Sequence, residues 1–550
     1  MIDDLWYKNA LIYCLDVERY LDANADGVGD FMGLTRRLDY LAGVGVTCVW
    51  LQPFYPSPNR DNGYDVTDYY GVHPKHGTLG DFVEFMNHAQ QLGIRVLVDL
   101  VVNHTSTGHP WFRSARRNAS SPYREWYVWS KKRPPDHDQG MVFPGVQKTT
   151  WTRDEAAKQY YFHRFYHFQA DLNTHHPAVR REIMRIMGFW LQLGVSGFRM
   201  DAVPFLIEFK GAGVEPKQDF AWLQEMRDFL QWRCRDGVLL AEANVLPKEN
   251  MKYFGSRGER LTMMLNFPVN QRLFYAFATG DVRPLERALE DTRERPEAAQ
   301  WVHFLRSHDE LDLGRLTDAQ REKVFDALGP DESMQLYHRG IRRRLAPMLG
   351  NDRRRLELAF SVLFTLPGTP MLQFGDEIGL GDDLSLPERE SARTPMQWSD
   401  DRHGGFSSAR RTVWPVIRDP VYGFRRLNVA DQRREPGSLL NWMERAIRMR
   451  RECPEIPWGD WRLLDTRDRS VLALQYLWRG HSIVAVHNFA AEPRQLSLDV
   501  KDGAGEPLVS LLSTDDCLPE GDRYPLLLEP YGYRWFRLGG LDRNVPRTLN

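Results

Sequence analysis

Short apolar runs alternate with longer amphipathic stretches along most of the chain. The runs are rich in Val, Leu and Ile, and the stretches between them repeat apolar residues at helical spacing, as Phe82 and Phe85 do in residues 81–92. This alternation predicts βα units and a parallel sheet. The predicted strands are 11–17, 46–51, 95–102, 195–203, 238–242, 261–266, 301–307 and 369–374. The predicted helices include 33–42, 81–92 and 177–193.

Strands of this kind predict an α/β chain with a (β/α)₈ TIM barrel. The alternative is an open doubly wound sheet, but polar residues follow the C-terminal ends of several strands, where a barrel builds its site. The alternation stops over residues 104–176, which predicts a subdomain inserted after strand 3. From 463 onwards, short strands joined by Gly, Pro and Asp predict a C-terminal antiparallel β-sandwich domain. The barrel would then comprise 1–103 and 177–462, and the last domain 463–550.

Composition excludes several classes of function. The formal net charge of −2 gives no sign of nucleic-acid binding or of an anionic membrane surface. No apolar run approaches the ~18 residues of a membrane-spanning helix, and the N-terminus lacks a signal-peptide pattern. The five scattered cysteines are typical of reduced thiols, so we expect a cytoplasmic protein, monomeric or homo-oligomeric. The basic stretch 342–355 is interpreted as a solvated helix face.

The run 195–203 carries an arginine and a carboxylate at neighbouring positions on one face. Residues two apart in a strand point to the same side, so Arg199 and Asp201 would lie together, with Asp201 at the C-terminal end of the strand. A carboxylate beside a guanidinium stays ionised, as the nucleophile of a covalent glycosidase mechanism must be. The alternative is a structural ion pair in a buried strand.

Five motifs in order along the chain resemble the signature regions of the α-amylase family of glycoside hydrolases, family 13. They are residues 99–104, 169–173, 197–201, the strand that ends in 242, and 308–309. Further stretches are similar to the trehalose synthase subgroup of this family. They are residues 50–58, 71–78, 109–112, 123–130, 342–347 and 393–398. The chain stops at residue 550, so we expect no kinase domain of the kind that some members carry.

The resemblance implies a retaining double displacement. Asp201 would be the nucleophile that forms a β-glucosyl ester. Glu242 would act first as the general acid and then as the general base, since a carboxyl group at the end of an apolar strand has the surroundings to raise its pKa. Asp309 would bind the 2- and 3-hydroxyls of the sugar and favour the distorted transition state.

The resemblance also implies contacts around the same glucosyl unit. Arg199 would keep the nucleophile ionised, and His104 and His308 would donate hydrogen bonds to the sugar. Tyr64 would stack on the non-reducing glucose. Asp65 would bind this glucose as well. Arg393 would pair with the Asp65 carboxylate or bind the same glucose.

The loop 22–30 alternates oxygen-bearing side chains as a site for a hard cation does, although a plain Asx turn is the alternative. The family resemblance supports a structural Ca²⁺ or Mg²⁺ here and a second Ca²⁺ site at Asn103 and Asp171. No organic cofactor is expected. The predicted ligands in the loop are Asp22, Asn24, Asp26, the Val28 carbonyl and Asp30.

The leading prediction is isomerisation of maltose to trehalose by intramolecular transfer of the glucosyl group, with some hydrolysis. Water must be excluded for this to succeed, and residues 104–176 and 381–432 would supply a lid. The rival is an α-glucosidase or transglucosidase acting on maltose or sucrose. Two departures from the subgroup, at residues 13–20 and at Gln373, are expected near the pocket wall and leave the acceptor open. A non-catalytic binding protein is excluded because the three carboxylates are present.

Overall fold

The computed structural model describes residues 3–501, 503 and 505–540, so the outer ends of the predicted first and last domains lie outside it. Eight parallel strands close into a barrel, as predicted, in which each strand pairs with the next one along the chain and the last pairs with the first. Each strand is shorter than its apolar run because the run extends beyond the ladder hydrogen bonds at one end or at both. The strands are β1 Ile12–Leu15, β2 Cys48–Leu51, β3 Arg95–Leu100, β4 Gly197–Met200, β5 Val238–Ala241, β6 Met263–Leu265, β7 Gln300–Phe304 and β8 Thr369–Gln373.

Helices cover the outside of the barrel. The helix Leu79–Gln91 shows why they form: Thr78 and Asp81 make a capping box at its start, and Phe82 and Phe85 bury its apolar face. The predicted helix 33–42 is two helices in the structure. The helices that follow the strands in turn are Phe31–Thr35 with Leu38–Val44, Leu79–Gln91, Pro177–Gln192, Phe220–Arg233, Asn250–Phe254, Phe267–Thr279 with Arg283–Asp291, Asp318–Leu328 with Arg353–Thr365, and Leu439–Arg451.

A small subdomain follows β3, as predicted, and we call residues 104–176 the insert. Its first and last strands, His104–Ser106 and Gln169–Asp171, pair with each other in antiparallel fashion at the barrel rim. Both ends of the insert are thereby fixed next to the C-terminal end of β3. The other elements are the helix Pro110–Arg117 and the strands Trp129–Ser130, Trp151–Asp154 and Gln159–Phe162.

Between β7 and β8 lies a second rim element that the sequence pattern did not predict. Three two-residue strands form a small antiparallel sheet, and we call residues 311–341 the hairpin. The strands are Leu311–Asp312, Gln335–Leu336 and Gly340–Ile341. The basic stretch that follows is a solvated helix face only at its end, where Arg354 is exposed on the helix Arg353–Thr365; Arg344 is fully buried and donates to the Phe374 carbonyl at 2.7 Å.

The C-terminal part is antiparallel β structure, as predicted, with a five-stranded and a two-stranded sheet enclosing an apolar core. Trp535 anchors it to the barrel by donating to Ser361 Oγ at 2.8 Å. The exact domain boundaries remain a prediction. The sheets comprise Asp460–Leu463, Val471–Trp478, His481–Asn488, Tyr533–Leu538 and Leu508–Ser510, and Arg494–Leu498 with Tyr524–Leu528. Within the described residues, no helix has the length and apolar character to cross a membrane.

Candidate active site

The nucleophile candidate sits at the C-terminal end of β4 because of a close approach between two strands. A Cβ atom on Gly197 would lie 2.1 Å from the Val238 carbonyl of β5, and the φ angle of Gly197 is 142°, so only glycine fits there. From this point Arg199 and Asp201 point to one side, as predicted, and Asp201 is the first residue beyond the strand. Ala202 then turns the chain with a left-handed φ of 48°.

Arg199 is the centre of the charged cluster. Its Nη1 lies 2.8 Å from Asp99 Oδ1 and 2.7 Å from Asp201 Oδ1, and its Nη2 lies 2.8 Å from Glu242 Oε2. The guanidinium is 1% exposed, so bulk water screens these contacts little. One cation therefore holds carboxylates from the ends of three strands, β3, β4 and β5, at a single point.

Burial dominates the acidity of Asp201 and Glu242. It raises the pKa of Asp201 to about 7, although the guanidinium of Arg199 works in the opposite direction. It also raises the pKa of Glu242 to about 7, again against Arg199 and with the help of the neighbouring Asp201 charge. The expectation that Arg199 alone keeps Asp201 fully ionised is therefore too simple, because desolvation outweighs the guanidinium.

Asp309 has the opposite electrostatic character. Burial by itself would raise its pKa, but the N–H of the neighbouring His308 ring and the charges of Arg389 and Arg393 hold the pKa well below the ordinary value. Its Oδ1 lies 2.6 Å from Arg389 Nη1, and its Oδ2 lies 3.2 Å from His308 Nε2. Asp309 therefore stays ionised while the other two carboxyl groups titrate.

Tyr64 and His104 complete the floor of the site. The Tyr64 hydroxyl donates to Asp99 Oδ2 at 2.9 Å and lies 2.8 Å from His308 Nε2. His104 Nε2 lies 2.9 Å from the Tyr64 carbonyl. Burial lowers the pKa of both histidines, so each ring is neutral at pH 7 and can donate from one nitrogen.

A cavity of about 590 Å³ opens over these groups, a size typical of sites for small ligands. The three carboxyl groups all line it, at the C-terminal face of the barrel where TIM-barrel sites lie. Residues 140–143 of the insert form part of the cavity wall, and Asp312 and Arg339 of the hairpin also line the cavity. The predicted residues that line the cavity are Tyr64, His104, Arg199, Asp201, Glu242, His308 and Asp309.

Two predicted substrate contacts are displaced. Asp65 is fully buried outside the cavity, where its carboxylate accepts from Ser57 Oγ and the Arg60 amide. Arg393 is 2% exposed and does not pair with it: Arg393 binds the His308 carbonyl and Glu390. Both residues support the site from behind.

Asp61 and Arg389 line the cavity in the positions that the sequence had assigned to Asp65 and Arg393. Arg389 Nη2 lies 2.8 Å from Asp61 Oδ1, and its Nη1 reaches Asp309. Sequence reasoning missed both, although each stands four residues before a predicted one. The turn formed by Asn62 and Gly63 was the available signal, since it reverses the direction of the chain between Asp61 and Asp65.

The loop 22–30 is a network of Asx turns. Asp22 accepts from the Ala25 and Gly27 amides, Asn24 from Asp26, Asp26 from Val28, and Asp30 caps the helix Phe31–Thr35. The donor set is all oxygen, which suits a hard cation. Across residues 3–501, 503 and 505–540, however, no three His, Cys, Asp or Glu side chains are grouped to hold a metal ion. A structural cation in this loop therefore remains a prediction.

The second predicted metal site contains a lysine instead. Lys210 Nζ lies 2.9 Å from Asp171 Oδ2 and donates to Asn103 Oδ1 at 2.7 Å and to the Leu172 carbonyl. Its ammonium group supplies the positive charge among these oxygens. An ammonium group thus lies between Asn103 and Asp171, where the sequence predicted Ca²⁺.

The departures from the subgroup pattern lie behind the cavity. Arg19 is fully buried and pairs with Asp16 and Glu390, and Glu390 in turn pairs with Arg393. Gln373 is buried in β8. None of these residues lines the cavity; Arg19 reaches its wall through Glu390 and Arg393, so the departures lie near the wall, as expected, but behind it.

Known proteins resemble this chain in sequence and in fold. A family model of the alpha amylase catalytic domain matches residues 14–329 and 338–459, and a model of the sucrose hydrolase-like C-terminal domain matches 480–537. The trehalulose synthase MutB of Pseudomonas mesoacidophila MX-45 has a similar structure, with a TM-score of 0.77 and 26% identity over 97% of this chain and 99% of that one. A variant of MutB has been solved in complex with its substrate sucrose.

Characterised relatives match over nearly the full chain. A trehalose synthase of Thermus thermophilus is 42% identical over 544 residues, which cover 98% of this chain and 56% of the relative. The chain thus spans little more than half the length of that protein. The trehalose synthase/amylase TreS of Mycobacterium tuberculosis is 40% identical over 558 residues, which cover 99% of this chain and 92% of TreS.

Proposed function

Because the chain belongs to the α-amylase family, we propose that it is a retaining α-glucosyl-transferring enzyme that isomerises maltose to trehalose. One observation carries the proposal. Asp201 and Glu242 share a single buried guanidinium and line, together with Asp309, one cavity of about 590 Å³. Two carboxyl groups held this close suit a double displacement, in which one attacks and the other moves the proton.

In the first half-reaction, Asp201 attacks the anomeric carbon of the non-reducing glucose. The bond from that carbon to the bridging oxygen breaks, and Glu242 gives its proton to the departing oxygen. A β-glucosyl ester on Asp201 and a free glucose result. The raised pKa of Glu242, about 7, keeps enough of it protonated at neutral pH for this task.

In the second half-reaction, the freed glucose turns within the cavity and presents its anomeric hydroxyl to the ester. Glu242, now deprotonated, takes the proton of this hydroxyl while the oxygen attacks the glucosyl carbon. Asp201 is released as a carboxylate and Glu242 regains its proton, so the cycle closes with no net change. Two inversions at the same carbon retain the α configuration.

Asp309 serves the transition state in both halves. Its pKa is held far below neutral, so it offers a full negative charge to the sugar ring as positive charge develops there. Asp61 and Arg389 lie beside it in the same wall and are placed to bind the glucosyl hydroxyls. Competition from water decides whether the second step gives trehalose or glucose.

The rival is an α-glucosidase or transglucosidase, which uses the same three carboxylates. A probable α-glucosidase of Rhizobium meliloti is 31% identical to the chain over 528 residues. The decisive experiment is to incubate the protein separately with maltose, sucrose and trehalose and to identify the products. We expect trehalose from maltose, with a minor share of glucose. Glucose alone, or a new oligosaccharide, would assign the chain to the rival.

The nucleophile is tested in the same assay. Asp201→Asn keeps the size of the side chain and removes its charge, so all activities are expected to fall by roughly 10⁴-fold or more. Circular dichroism and thermal melting should show a folded protein. Substantial turnover by this variant would mean that the nucleophile is misassigned.

A further inference from the structure

A series of ion pairs runs from the end of β1 to the back of the catalytic cavity. Arg19 Nη1 lies 3.2 Å from Asp16 Oδ2, and Arg19 Nη2 pairs with Glu390 Oε2. The other oxygen of Glu390 lies 3.0 Å from Arg393 Nη1. Arg393 Nη2 in turn lies 3.3 Å from Asp309 Oδ1. The residues that lead up to Asp309 alternate in charge, and we call them the relay: Asp16, Arg19, Glu390 and Arg393.

The relay is shielded from water along its length. The Arg19 side chain is fully buried, that of Arg393 is 2% exposed and that of Glu390 is 18% exposed. Charges that water screens so little act strongly on one another. No member of the relay lines the cavity. Any effect of the relay on a bound sugar must therefore pass through the residues that Arg393 holds.

Arg393 divides its guanidinium group between the relay and the active site. Its Nε donates to the His308 carbonyl at 2.7 Å, its Nη1 donates to Glu390, and its Nη2 faces Asp309. Glu390 and Asp309 thus compete for one cation, and Glu390 is the nearer of the two. Arg19 relieves this competition, because it binds the second oxygen of Glu390 and neutralises part of its charge.

A second set of contacts connects the relay to Asp309 from the cavity side. Asn62 Nδ2 donates to Asp16 Oδ2 at 3.3 Å, and Asn62 follows Asp61 in the chain. Asp61 Oδ1 lies 2.8 Å from Arg389 Nη2, and Arg389 Nη1 lies 2.6 Å from Asp309 Oδ1. The two sets of contacts close a ring, so both guanidinium groups that hold Asp309 are connected to the relay.

The ring contains one more acid than it has bases. Without Arg19 the excess would grow from one negative charge to two, in surroundings that screen charge poorly. Arg393 would then be expected to turn both of its Nη atoms to Glu390 and to leave Asp309. The acids of the ring are Asp16, Asp61, Asp309 and Glu390, and the bases are Arg19, Arg389 and Arg393.

The two acids of the relay respond differently to the loss of Arg19. Burial raises the pKa of Asp16 against the charge of Arg19, so Asp16 can take up a proton when this partner is lost. Burial would also raise the pKa of Glu390, but Arg19 and Arg393 hold it below the ordinary value. Glu390 therefore stays charged beside Arg393 and is the acid that Arg19 has to neutralise.

We propose that Arg19 is a positioning residue for Asp309: by neutralising Glu390, it leaves Arg393 free to hold Asp309 where the carboxylate serves the transition state. This inference rests on the proposed function, in which Asp309 stabilises the positive charge of the sugar ring. Arg19 itself touches neither the sugar nor the reacting atoms. The departure from the subgroup pattern at residues 13–20 thereby has a role in this chain.

The test is a double-mutant cycle of Arg19→Met and Glu390→Gln. Arg19→Met alone leaves Glu390 charged, so kcat/KM for maltose consumption should fall roughly tenfold, mostly through kcat. With both changes, position 390 no longer attracts Arg393 as a charge, and kcat/KM should return to within about threefold of the wild type. The proposal is overturned if Arg19→Met keeps the wild-type kcat/KM, or if the double variant is no better than the single one.

Binding of 1-deoxynojirimycin gives a readout that needs no turnover. Its protonated ring nitrogen imitates the positive charge of the transition state, so its affinity depends on a well-placed Asp309. Its Kd, measured by calorimetry, should rise roughly tenfold in Arg19→Met and recover in the double variant, whereas the Kd of glucose should change less than about threefold. An unchanged Kd of the inhibitor in Arg19→Met would contradict the proposal.

Arg450→Met is the matched control for the loss of a buried arginine. Arg450 donates to the Phe364 carbonyl at 2.9 Å and to the Gly368 carbonyl at 2.6 Å, away from the cavity. This variant should lower the melting temperature, as Arg19→Met does, and leave kcat/KM within about twofold of the wild type. An equal fall of kcat/KM in the control would show that lost stability, and not Asp309, explains the effect.

Arg19→Lys covers the case in which Arg19→Met does not fold. A single ammonium group cannot hold both acids as the guanidinium fork does, so kcat/KM should fall about threefold. Adding Glu390→Gln should restore it, because the acid that competes for Arg393 is then neutral. A double variant less active than Arg19→Lys alone would overturn the proposal.

Failure of the proposed function gives a different result. Maltose consumption is measured whichever product forms, so a wild type that makes glucose alone ends the isomerase assignment and leaves the mutant cycle to decide the role of Arg19. If the wild type consumes no maltose, calorimetry decides it: a weaker inhibitor complex in Arg19→Met, with recovery in the double variant, supports the proposal, and equal Kd values overturn it.

Discussion

One buried guanidinium meets three carboxyl groups in this site, and the charges do not balance. Arg199 contacts Asp99, Asp201 and Glu242, so the cluster carries more acid than base when all its members are ionised. Burial resolves the excess by raising the pKa values of these acids, to about 6 for Asp99 and about 7 for the other two. The proton that the mechanism needs on Glu242 is therefore a consequence of the crowding around Arg199.

The raised pKa values of Asp201 and Glu242 predict a bell-shaped pH dependence of kcat/KM with its maximum near neutral pH. Below the pKa of about 7, Asp201 gains a proton and no longer attacks; above the pKa of about 7, Glu242 loses the proton that the leaving group needs. The two apparent values belong to the pair of carboxyl groups. Asp309 stays ionised throughout and adds no limb.

A substrate whose leaving group needs no proton shows whether deprotonation of Glu242 causes the fall in kcat/KM at high pH. With α-glucosyl fluoride, Glu242→Gln should retain glucosylation and lose the decline at high pH. A rate that still rises two pH units above neutrality with maltose would contradict the assignment of Glu242.

Asp61 and Asp65 provide a matched pair of variants four residues apart. Asp61→Asn removes a charge that faces the cavity and pairs with Arg389, so kcat/KM is expected to fall roughly 10²-fold with little change in melting temperature. Asp65→Asn disturbs hydrogen bonds within a loop, so it should lower the melting temperature and leave kcat/KM within about threefold. Kinetics and thermal melting of the two proteins decide between them, and the reverse pattern would restore the sequence-based assignment.

At the scale of elements, the regular parts and the place of the insert could be predicted, whereas the hairpin and the side-chain contacts at the rim could not. The barrel strands follow from apolar runs, and Asp201, Glu242 and Asp309 follow from their places at strand ends. The family resemblance assigned the sugar contact to Asp65, and sequence spacing does not tell which carboxylate the Ser57 hydroxyl and the loop amides will engage. The hairpin escaped prediction because its strands have two residues each, and Arg344 because only tertiary contacts reveal that it is buried.

Chelation tests the metal predicted for the loop 22–30. A cation that binds the folded loop alone stabilises the protein by mass action, so EDTA should lower the melting temperature by a few degrees and Ca²⁺ or Mg²⁺ should restore it. Asp26→Ala, at an exposed position of the loop, should remove this response. An identical melting temperature with and without EDTA would show that the Asx turns hold the loop unaided.

At the scale of the whole molecule, the site lowers the stability of the fold in a pH-dependent way. The folded state raises the pKa of Glu242 from 4.5 to about 7. The contribution of protonated Glu242 to the free energy of unfolding is fully present below pH 4.5 and is lost as the pH rises through 7. Above this value the buried charge opposes folding, so the enzyme is expected to be less stable on the alkaline side than a variant without this charge.

Glu242→Gln tests this cost directly. The variant should melt about 1–2 °C above the wild type near pH 8, and the difference should vanish near pH 4, where the native side chain is protonated in both the folded and the unfolded state. Differential scanning calorimetry at the two pH values measures both. A variant that melts below the wild type near pH 8 would show that the contact between Glu242 and Arg199 outweighs the desolvation of the carboxylate.

The walls and the floor of the cavity come from different kinds of chain segment. The acids follow directly on the C-terminal ends of barrel strands or lie a few residues beyond them, whereas the insert, the hairpin and the segment around Arg389 belong to the longer loops between strands and helices. Such an arrangement lets mutation and recombination exchange the walls while the reactive groups stay in place. Descendants of one ancestor can therefore diverge in what they make while keeping how they make it, and grafting of single rim loops between relatives is the natural route by which to redesign the product.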